Sequence, residues 1–465
     1  MSVVPWGQLI ADSPPWGRWR VCSAVMLKEG TAPERRRGNV LGAANNFVYV
    51  FRSPPRFMIR NISSRPSFVS RRQFVGGLAG TIGASMLGRA AEAGPAPCAP
   101  GAWRKQGVVF RHVGEPAGGW VQNFTSSVEP LAGGRWRWWC SVSGKENVPK
   151  NIGFAEGVPG EAITPTYAVL SAGEPDAQAP LALGNLPTGW RPTQGVHLRL
   201  ADGRYRIYFW AHGKGVVRYL AADSVDGRAF RVLDPLRPCI YHPNDRAVDG
   251  AAALEAGLTH FARHQAAPVA GEPLAPAALL SNDATNVYQL PDGSFEMYSV
   301  GLMEVGKDDP RYFPHDNIPG LVRVIDRYVS ADGLRWEGRR RVLTPDAGDP
   351  ASSQFYYLSV THTERGRVGI LGHYHLDRQT IDMEWCFSKD GIRWERPVRT
   401  PWLPRGDAAQ PDSMMVHAPH ALIHRDQQWW LFYTGSNFTH NHATANSAEP
   451  NCAVMLATCA DIWRA

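Results

Sequence analysis

An all-β chain folded as a five-bladed β-propeller is predicted by three observations. The turn Ser-x-Asp-Gly, followed three residues later by an aromatic, recurs at Ser224–Phe230, Ser330–Trp336 and Ser388–Trp394. Five aromatic-rich runs, at 133–142, 202–211, 292–301, 365–375 and 426–435, each follow a polar turn and a shorter apolar segment, which is a hairpin pattern repeated five times. The 465 residues include 17 Trp, 46 Gly and 37 Pro, as expected of short strands joined by many turns. Repeats of this kind, each unable to bury its faces alone, close into a ring of blades.

The chain divides before the propeller begins. Residues 1–93 hold 13 Lys+Arg and 4 Asp+Glu of the 49 and 42 in the whole, so the remainder carries 36 and 38 and a net charge of −2. The overall charge of +7 therefore belongs to the leader and does not argue for nucleic-acid binding by the folded part. Within the leader, Arg71 and Arg72 in SRRQFVGG precede a mildly apolar stretch, Phe74 to Leu87, and small residues at Ala91–Ala93. The stretch is shorter than the ~20 residues of a membrane-spanning helix. The pattern is that of a twin-arginine export signal with a peptidase site. Residues 58–93 are the expected signal, Met58 its start, and 1–57 an upstream extension. Residues 94–465 form the expected propeller domain, periplasmic or extracellular, with no membrane insertion and the twin-arginine translocase as its export partner.

Six cysteines lie past the leader, at 98, 140, 239, 386, 452 and 459. An oxidising compartment permits disulfides, but no pairing follows from their spacing, and none has a zinc-site spacing.

Each blade reads as short strands in sequence. The segments 126–132, 195–201, 285–291, 356–362 and 420–425 supply the first strand of each hairpin, and a third strand leads into the Ser-x-Asp-Gly turn. In that turn glycine takes positive φ, the Ser and Asp oxygens accept backbone N–H bonds, and the aromatic returns onto a neighbouring sheet. This is structural work, so Asp226, Asp332 and Asp390 are not candidate catalysts. The first unit carries a degenerate turn at Ile152–Gly157, and the last keeps Asp461 and Trp463. Asn244–Gln265 has helical apolar spacing and reads as an insertion between blades two and three. Val109–His112 is expected to complete the last blade.

The run SNDATNVYQLPDGSFEMYSVG from Ser281, with GLVRVIDRYVSADGLRW and IDMEWCFSKDGIRWERP further on, resembles the five-bladed propeller glycoside-hydrolase superfamily. That superfamily includes families 32, 43, 68 and 117, and the likeness is to exported family-32-like members. It extends from about Gly119 to the C-terminus. It implies a central channel where the innermost strands of the blades begin, holding carboxylates as acid, base or nucleophile. It also implies a carbohydrate substrate, an oligosaccharide or a polysaccharide fragment. The Trp-x-Asn-Asp-Pro and Arg-Asp-Pro boxes of sucrose-processing members are absent, as is an Asp in blade one.

On this reading Asp283 is the base or nucleophile, Asp349 its partner or acid, and Asp412 a third carboxylate. Asn286, Arg323, Gln354, Tyr356, His375, His417 and His440 are the expected sugar-binding residues. Arg323 suits a carboxylate because its guanidinium forms a planar fork. His373 and His375 share a strand face, yet no third ligand completes a metal set, so neither metal nor cofactor is expected. A non-catalytic carbohydrate-binding propeller and a propeller glycoside phosphorylase are the alternatives.

Overall fold

The computed structural model describes residues 103–111, 120–143, 151–163, 166–168, 182–213, 215–242, 278–440 and 452–463. The expected extension and export signal, Cys98 and the insertion at 244–265 lie outside the described residues. Those described contain strands and turns, and no helix long and apolar enough to cross a membrane.

Strand β1 (Arg104–Phe110) comes first in sequence and last in the ring. Blade one is β2 (Trp120–Pro130), β3 (Trp136–Ser143), β4 (Asn151–Gly157) and β5 (Thr166–Ala168), paired in that order. Blade two comprises β6 (Ala182–Gly184), β7 (Arg191–Arg199), β8 (Tyr205–Gly213), β9 (Val216–Ser224), β10 (Ala229–Val232) and β11 (Ile240–Tyr241). Its antiparallel order is β7-β8-β9-β10, with β6 added parallel to β10 and β11 beside β9. Blade three is β12 (Ala278–Gln289), β13 (Phe295–Glu304), β14 (Leu321–Ser330) and β15 (Glu337–Leu343). Blade four is β16 (Ser353–Thr363), β17 (Gly366–His375) and β18 (Thr380–Ser388), with Glu395 bridging to Phe387. Blade five is β19 (Met415–His417), β20 (Ile423–Arg425), β21 (Gln428–Ser436) and β22 (Cys452–Cys459), completed by β1 against β22. The closing strand is thus Arg104–Phe110 rather than Val109–His112. Ile152–Gly157, read from sequence as a degenerate turn, is strand β4, and its turn follows at Val158–Glu161.

The ring closes through its hydrophobic cores. Trp139 and Ile152 of blade one pack with Phe209, Leu220 and Phe230 of blade two. Tyr208 and Trp210 of blade two pack with Val287, Phe295 and Trp336 of blade three. Blades three, four and five share a large cluster that includes Tyr298, Tyr357 and Tyr433. Phe432 and Val454 of blade five meet Trp136 and Trp138 of blade one, with Phe110 of the closing strand. Each blade therefore buries apolar side chains on both faces, at about 1.5–3 kcal/mol for each large one. The innermost strands neighbour one another around the axis, β2 with β7, β7 with β12, β12 with β16, and β19 with β2. The Tyr357 hydroxyl of β16 donates to Val416 O of β19, at 3.0 Å.

The repeated turn fastens each blade to the one before it. In all three copies the serine Oγ accepts from the glycine N–H, and one aspartate oxygen accepts from the two backbone N–H groups that follow. These bonds hold the three carboxyl groups below the usual aspartate range, against the opposing effect of burial. Tyr208 of blade two donates to Gly333 O at 2.9 Å, and Tyr298 of blade three donates to Gly391 O at 3.2 Å. The aromatics land on the preceding blade: Phe230 on Trp139, Trp336 on Tyr208, Trp394 on Tyr298, and in the last unit Trp463 on Phe387. Gly333 and Gly391 have φ of 73° and 74°, and a Cβ on either would lie 2.5 Å from the tyrosine oxygen.

A second inter-blade tie centres on Glu296, which is fully buried. It accepts from Arg327 of its own blade and from Arg367 and His362 of blade four. Burial pushes its carboxyl up, but these hydrogen bonds and charges outweigh it and bring it from about 4.5 to about 2.

Gly333→Ala and Gly391→Ala are expected to cost about 2–3 kcal/mol each in urea unfolding, combining left-handed backbone strain with a lost buried hydrogen bond. Gly293→Ala, at φ 86° with open space around it, is expected to cost only the backbone part, about 1–2 kcal/mol. Equal losses at all three would remove the latch. For Glu296, a carboxyl held low in the fold contributes stability above its ordinary value and loses it as the pH falls. Wild type is expected to exceed Glu296→Gln by on the order of 3 kcal/mol at pH 6, with the gap closing between about pH 4.5 and about pH 2. A pH-independent gap in the same unfolding series counts against this account.

Candidate functional site

The described innermost strands of blades one to four are interrupted near the axis. Pairing skips between Val121 and Thr125 on β2, Thr193 and Val196 on β7, Leu280 and Thr285 on β12, and Phe355 and Tyr357 on β16. Such bulges re-aim side chains at barrel and propeller rims. On β12 the irregular stretch carries Ser281 and Asp283. On β7 it carries Gln194, whose φ of 54° is unusual for a non-glycine residue. The Gln194 amide, oriented to donate, reaches Asn282 O at 2.9 Å and Asp283 O at 3.1 Å.

Asp283 is held by donors only. Ser281 Oγ donates to its Oδ2 at 2.5 Å, Arg323 Nε lies 3.4 Å from the same oxygen, and Tyr356 Oη lies 3.4 Å from Oδ1. Arg323 is the hub of the site. Its Nη1 donates to Gln354 Oε1 at 2.6 Å and lies 3.4 Å from Asp316 Oδ2, while Nη2 donates to Asn317 Oδ1 at 2.9 Å. Its guanidinium also stands 5.2 Å from the Tyr356 ring centre and 5.5 Å from that of Tyr374. Gln354 donates onward to Leu321 O. His440 Nε2 is 2.9 Å from Tyr356 Oη, and its Nδ1 is 3.4 Å from Tyr374 Oη. The Tyr356 hydroxyl can donate its one proton to Asp283 while accepting from His440 when Nε2 carries the ring proton. Burial holds that phenol well above its ordinary value, with the Asp283 charge adding to the effect.

Asp283, Arg323, Gln354, Tyr356 and His440 thus come together between blades three and four. His417 lies near them, its ring centre 6.2 Å from that of Tyr356. Burial, with the nearby His440, pushes it down to about 3, so it is neutral. Asn286 is on the same strand as Asp283, but its amide donates to Leu358 O at 2.8 Å and ties β12 to β16.

The other two expected carboxylates lie elsewhere. Asp349 accepts from Arg396 Nη1 and Nη2 at 2.7 Å each and from the Asp346 N–H at 2.9 Å, with Arg399 3.2 Å away. Arg396 also binds Glu384 and lies over the Phe355 ring, whereas Gln354 and Tyr356 reach the Asp283 network. Neighbouring residues of one strand point to opposite faces, so Asp349 and Asp283 belong to opposite faces of β16. Asp412 is paired with Lys105 of the closing strand at 2.6 Å and accepts from Tyr433 Oη at 2.9 Å. Side-chain exposure separates the three carboxylates: 18% for Asp283 but 1% for Asp349 and 1% for Asp412. Burial with strong cationic partners marks the latter two as parts of the scaffold.

His375 falls on the far face of blade four, its Nε2 3.0 Å from Asp382 Oδ2. Asp349, His373 and Glu384 present ligand atoms within 4.8 Å of one another. The guanidinium of Arg396 already satisfies both of those carboxylates and occupies the place a cation would need. Glu304 is exposed.

Sequence reasoning missed Asp316, Asn317 and Tyr374. The first two sit in the connection from Val305 to Gly320, between the second and third strands of blade three. Its length was the available signal, since long connections in compact domains are often functional.

The chain matches no protein-family model and no curated protein. Solved structures align with it at low identity. An N-acetylgalactosamine deacetylase from F. plautii has a TM-score of 0.47 at 14% identity, over 77% of this chain and 95% of that one. A β-1,2-mannobiose phosphorylase from Listeria innocua has 0.42 at 11%, over 75% and 92%. A glycosyl hydrolase from Bacteroides ovatus has 0.40 at 13%, over 72% and 83%. The five-bladed ring stands on the strand pairings and shared cores above.

Lys105→Ala leaves the buried Asp412 carboxylate without its cation and is expected to cost about 3–5 kcal/mol of stability. The double replacement Lys105→Met, Asp412→Leu is expected to recover most of that in thermal unfolding. A single variant as stable as wild type argues against a structural role for Asp412.

Proposed function

We propose that this chain is an exported glycoside hydrolase that cleaves an oligo- or polysaccharide at the propeller axis, with Asp283 as base or nucleophile. The observation that carries this reading is the setting of Asp283. It is the accessible member of the three expected carboxylates, fixed by three donors at the bulge within an innermost strand, beside a cation–aromatic wall. The resemblance of residues 281–301 and the later blades to the propeller glycoside hydrolases supports the same role.

Glycoside cleavage needs a second carboxyl group to protonate the leaving oxygen. Asp349 and Asp412 face their cations at 2.7 and 2.6 Å, whereas Asp316, also buried, meets Arg323 only at 3.4 Å, so the role is assigned to Asp316. One guanidinium contacts both Asp283 and Asp316 at 3.4 Å, which keeps the pair below roughly 9.5 Å, the outer limit for an inverting enzyme. Asp316 Oδ1 is buried with no hydrogen-bond partner among the described residues. His440 and the edge of Tyr356 supply polar groups for sugar hydroxyls, with the buried Tyr374 packed behind them. Export through the twin-arginine translocase, to the periplasm or beyond, rests on the Ser70–Gly77 pattern and belongs to the same proposal.

The commitment of Asp349 and Asp412 to the scaffold favours a second reading, a carbohydrate-binding propeller without turnover. A glycan panel assayed for released reducing ends separates the two. Wild type is expected to release sugar, and Asp283→Asn and Asp316→Asn to lower the rate by about 10²–10⁴-fold. Binding without release selects the second reading. Release that requires inorganic phosphate identifies a phosphorylase, and an unimpaired Asp283→Asn removes the catalytic role.

A further inference from the structure

A separate cleft of about 410 Å³ opens on the other side of blade four, between the end of β17 and the segment 401–413. Pro401 and Pro404 form apolar walls, and His375, Arg378, Arg405 and Ser413 bring polar groups to it. Its one lining carboxylate, Asp382, is already covered: His375 Nε2 is 3.0 Å from one oxygen, and Arg405 Nε donates to the other at 2.7 Å. Arg405 Nη1 binds Ser413 O at 2.9 Å, which leaves Nη2 without a partner among the described residues. The Arg378 side chain is 55% exposed, and its one ion pair among the described residues is with its neighbour Asp377, at 3.9 Å.

Ser413 supplies an independent signal. The residue is 5% exposed, and its Oγ has no hydrogen-bond partner among the described residues. A buried hydroxyl left unpaired costs about 1–3 kcal/mol, so one lining a cleft asks for an acceptor from a ligand. Two arginines and this hydroxyl offer donors, against one carboxylate already paired with His375 and Arg405. The complement is an oxyanion, and the proline walls suit the face of the sugar ring that carries it.

We infer that this cleft is a subsite for an acidic sugar residue, whose carboxylate or sulfate ester is bound by Arg378, Arg405 and Ser413. The inference rests on the carbohydrate reading of the axial site and narrows its substrate to an acidic glycan. Tyr374, in the Asp283 network, and His375, in the cleft, are consecutive on β17. Their side chains project to opposite faces of the blade, so the two sites flank the same end of β17.

Calorimetric titration of the full chain tests this with three probes of equal length: an oligogalacturonide, its uncharged methyl ester, and a galactan oligomer bearing sulfate esters. At least one charged oligomer is expected to bind more tightly than the ester, and the larger preference identifies carboxylate or sulfate as the recognised group. Arg378→Glu is expected to lower that preference about ten-fold and Ser413→Ala about five-fold, the size of one charge-assisted and one ordinary hydrogen bond. Both side chains are outside the structural ion pairs, so the variants fold. Binding of neither charged oligomer more tightly than the ester, no binding by any probe, or a preference unchanged in both variants overturns the subsite. Asp283→Asn is expected to keep the preference. Turnover that survives Asp283→Asn beside a preference lost in Arg378→Glu removes the catalytic reading alone, and the reverse pattern removes the subsite alone.

Discussion

Every blade of this molecule has two apolar faces, and only a closed ring covers all of them. Trp139 faces blade two while Trp136 and Trp138, on the same strand, face blade five, so β3 is buried from both sides. A sheet of that composition alone in water would expose one of its aromatic walls. Closure is therefore the condition for the fold, and it depends on β1, which follows the leader yet pairs with β22 at the far end of the chain. The Lys105–Asp412 contact joins the same two ends electrostatically. Hydrophobic burial drives such a closure but is non-directional; the tyrosine–glycine bonds and the Glu296 cluster add the geometry that fixes each blade to its neighbour.

The ring then decides what can happen at its axis. Innermost strands run past one another there, and their bulges turn single side chains inward. Blade three contributes an aspartate, an arginine and the connection bearing Asp316; blade four contributes Gln354, Tyr356 and Tyr374; blade five adds His440 through its contact with Tyr356. No blade holds the site by itself. Arg323 illustrates the dependence, because its guanidinium is satisfied only when β12, β14, β16 and the 305–320 connection are all in place.

Much of this architecture is legible in one dimension. Turn chemistry is local, so Ser, Asp, Gly and the aromatic three residues on are enough to announce the latch at Ser330 and Ser388. Hairpin strands follow from alternation, and the run 365–375 differs from β17 by one residue. Long-range pairing is another matter. Asp349 stands before an innermost strand as Asp283 stands within one, but Arg396 captures it from 47 positions away. Asp412 is captured by Lys105 from 307 positions away. Nothing near either aspartate encodes these partners. The Arg323–Asp326–Arg327 run shows the intermediate case. Strand alternation correctly puts Asp326 on the face opposite the two arginines, where it meets Arg339, but does not reveal that Arg323 and Arg327 serve different clusters.

Pairing, more than position, thus separates a carboxylate left open to a ligand from a structural one in this ring. A carboxylate taken out of water must be compensated, and a buried aspartate with a bidentate guanidinium at 2.7 Å has its charge fully used by the fold. Removing a proton from a substrate or attacking its anomeric carbon would require that group to leave its partner. Asp283 is under no such obligation. Its contacts with Arg323 and Tyr356 are long, its one short bond comes from a neutral serine two residues away, and part of it still meets solvent. An incoming sugar hydroxyl or water can therefore replace a weak contact there rather than break a strong one. The same criterion applied to donors in place of acceptors singles out Arg378 and Ser413, and so both faces of blade four present groups the fold itself has left unsatisfied.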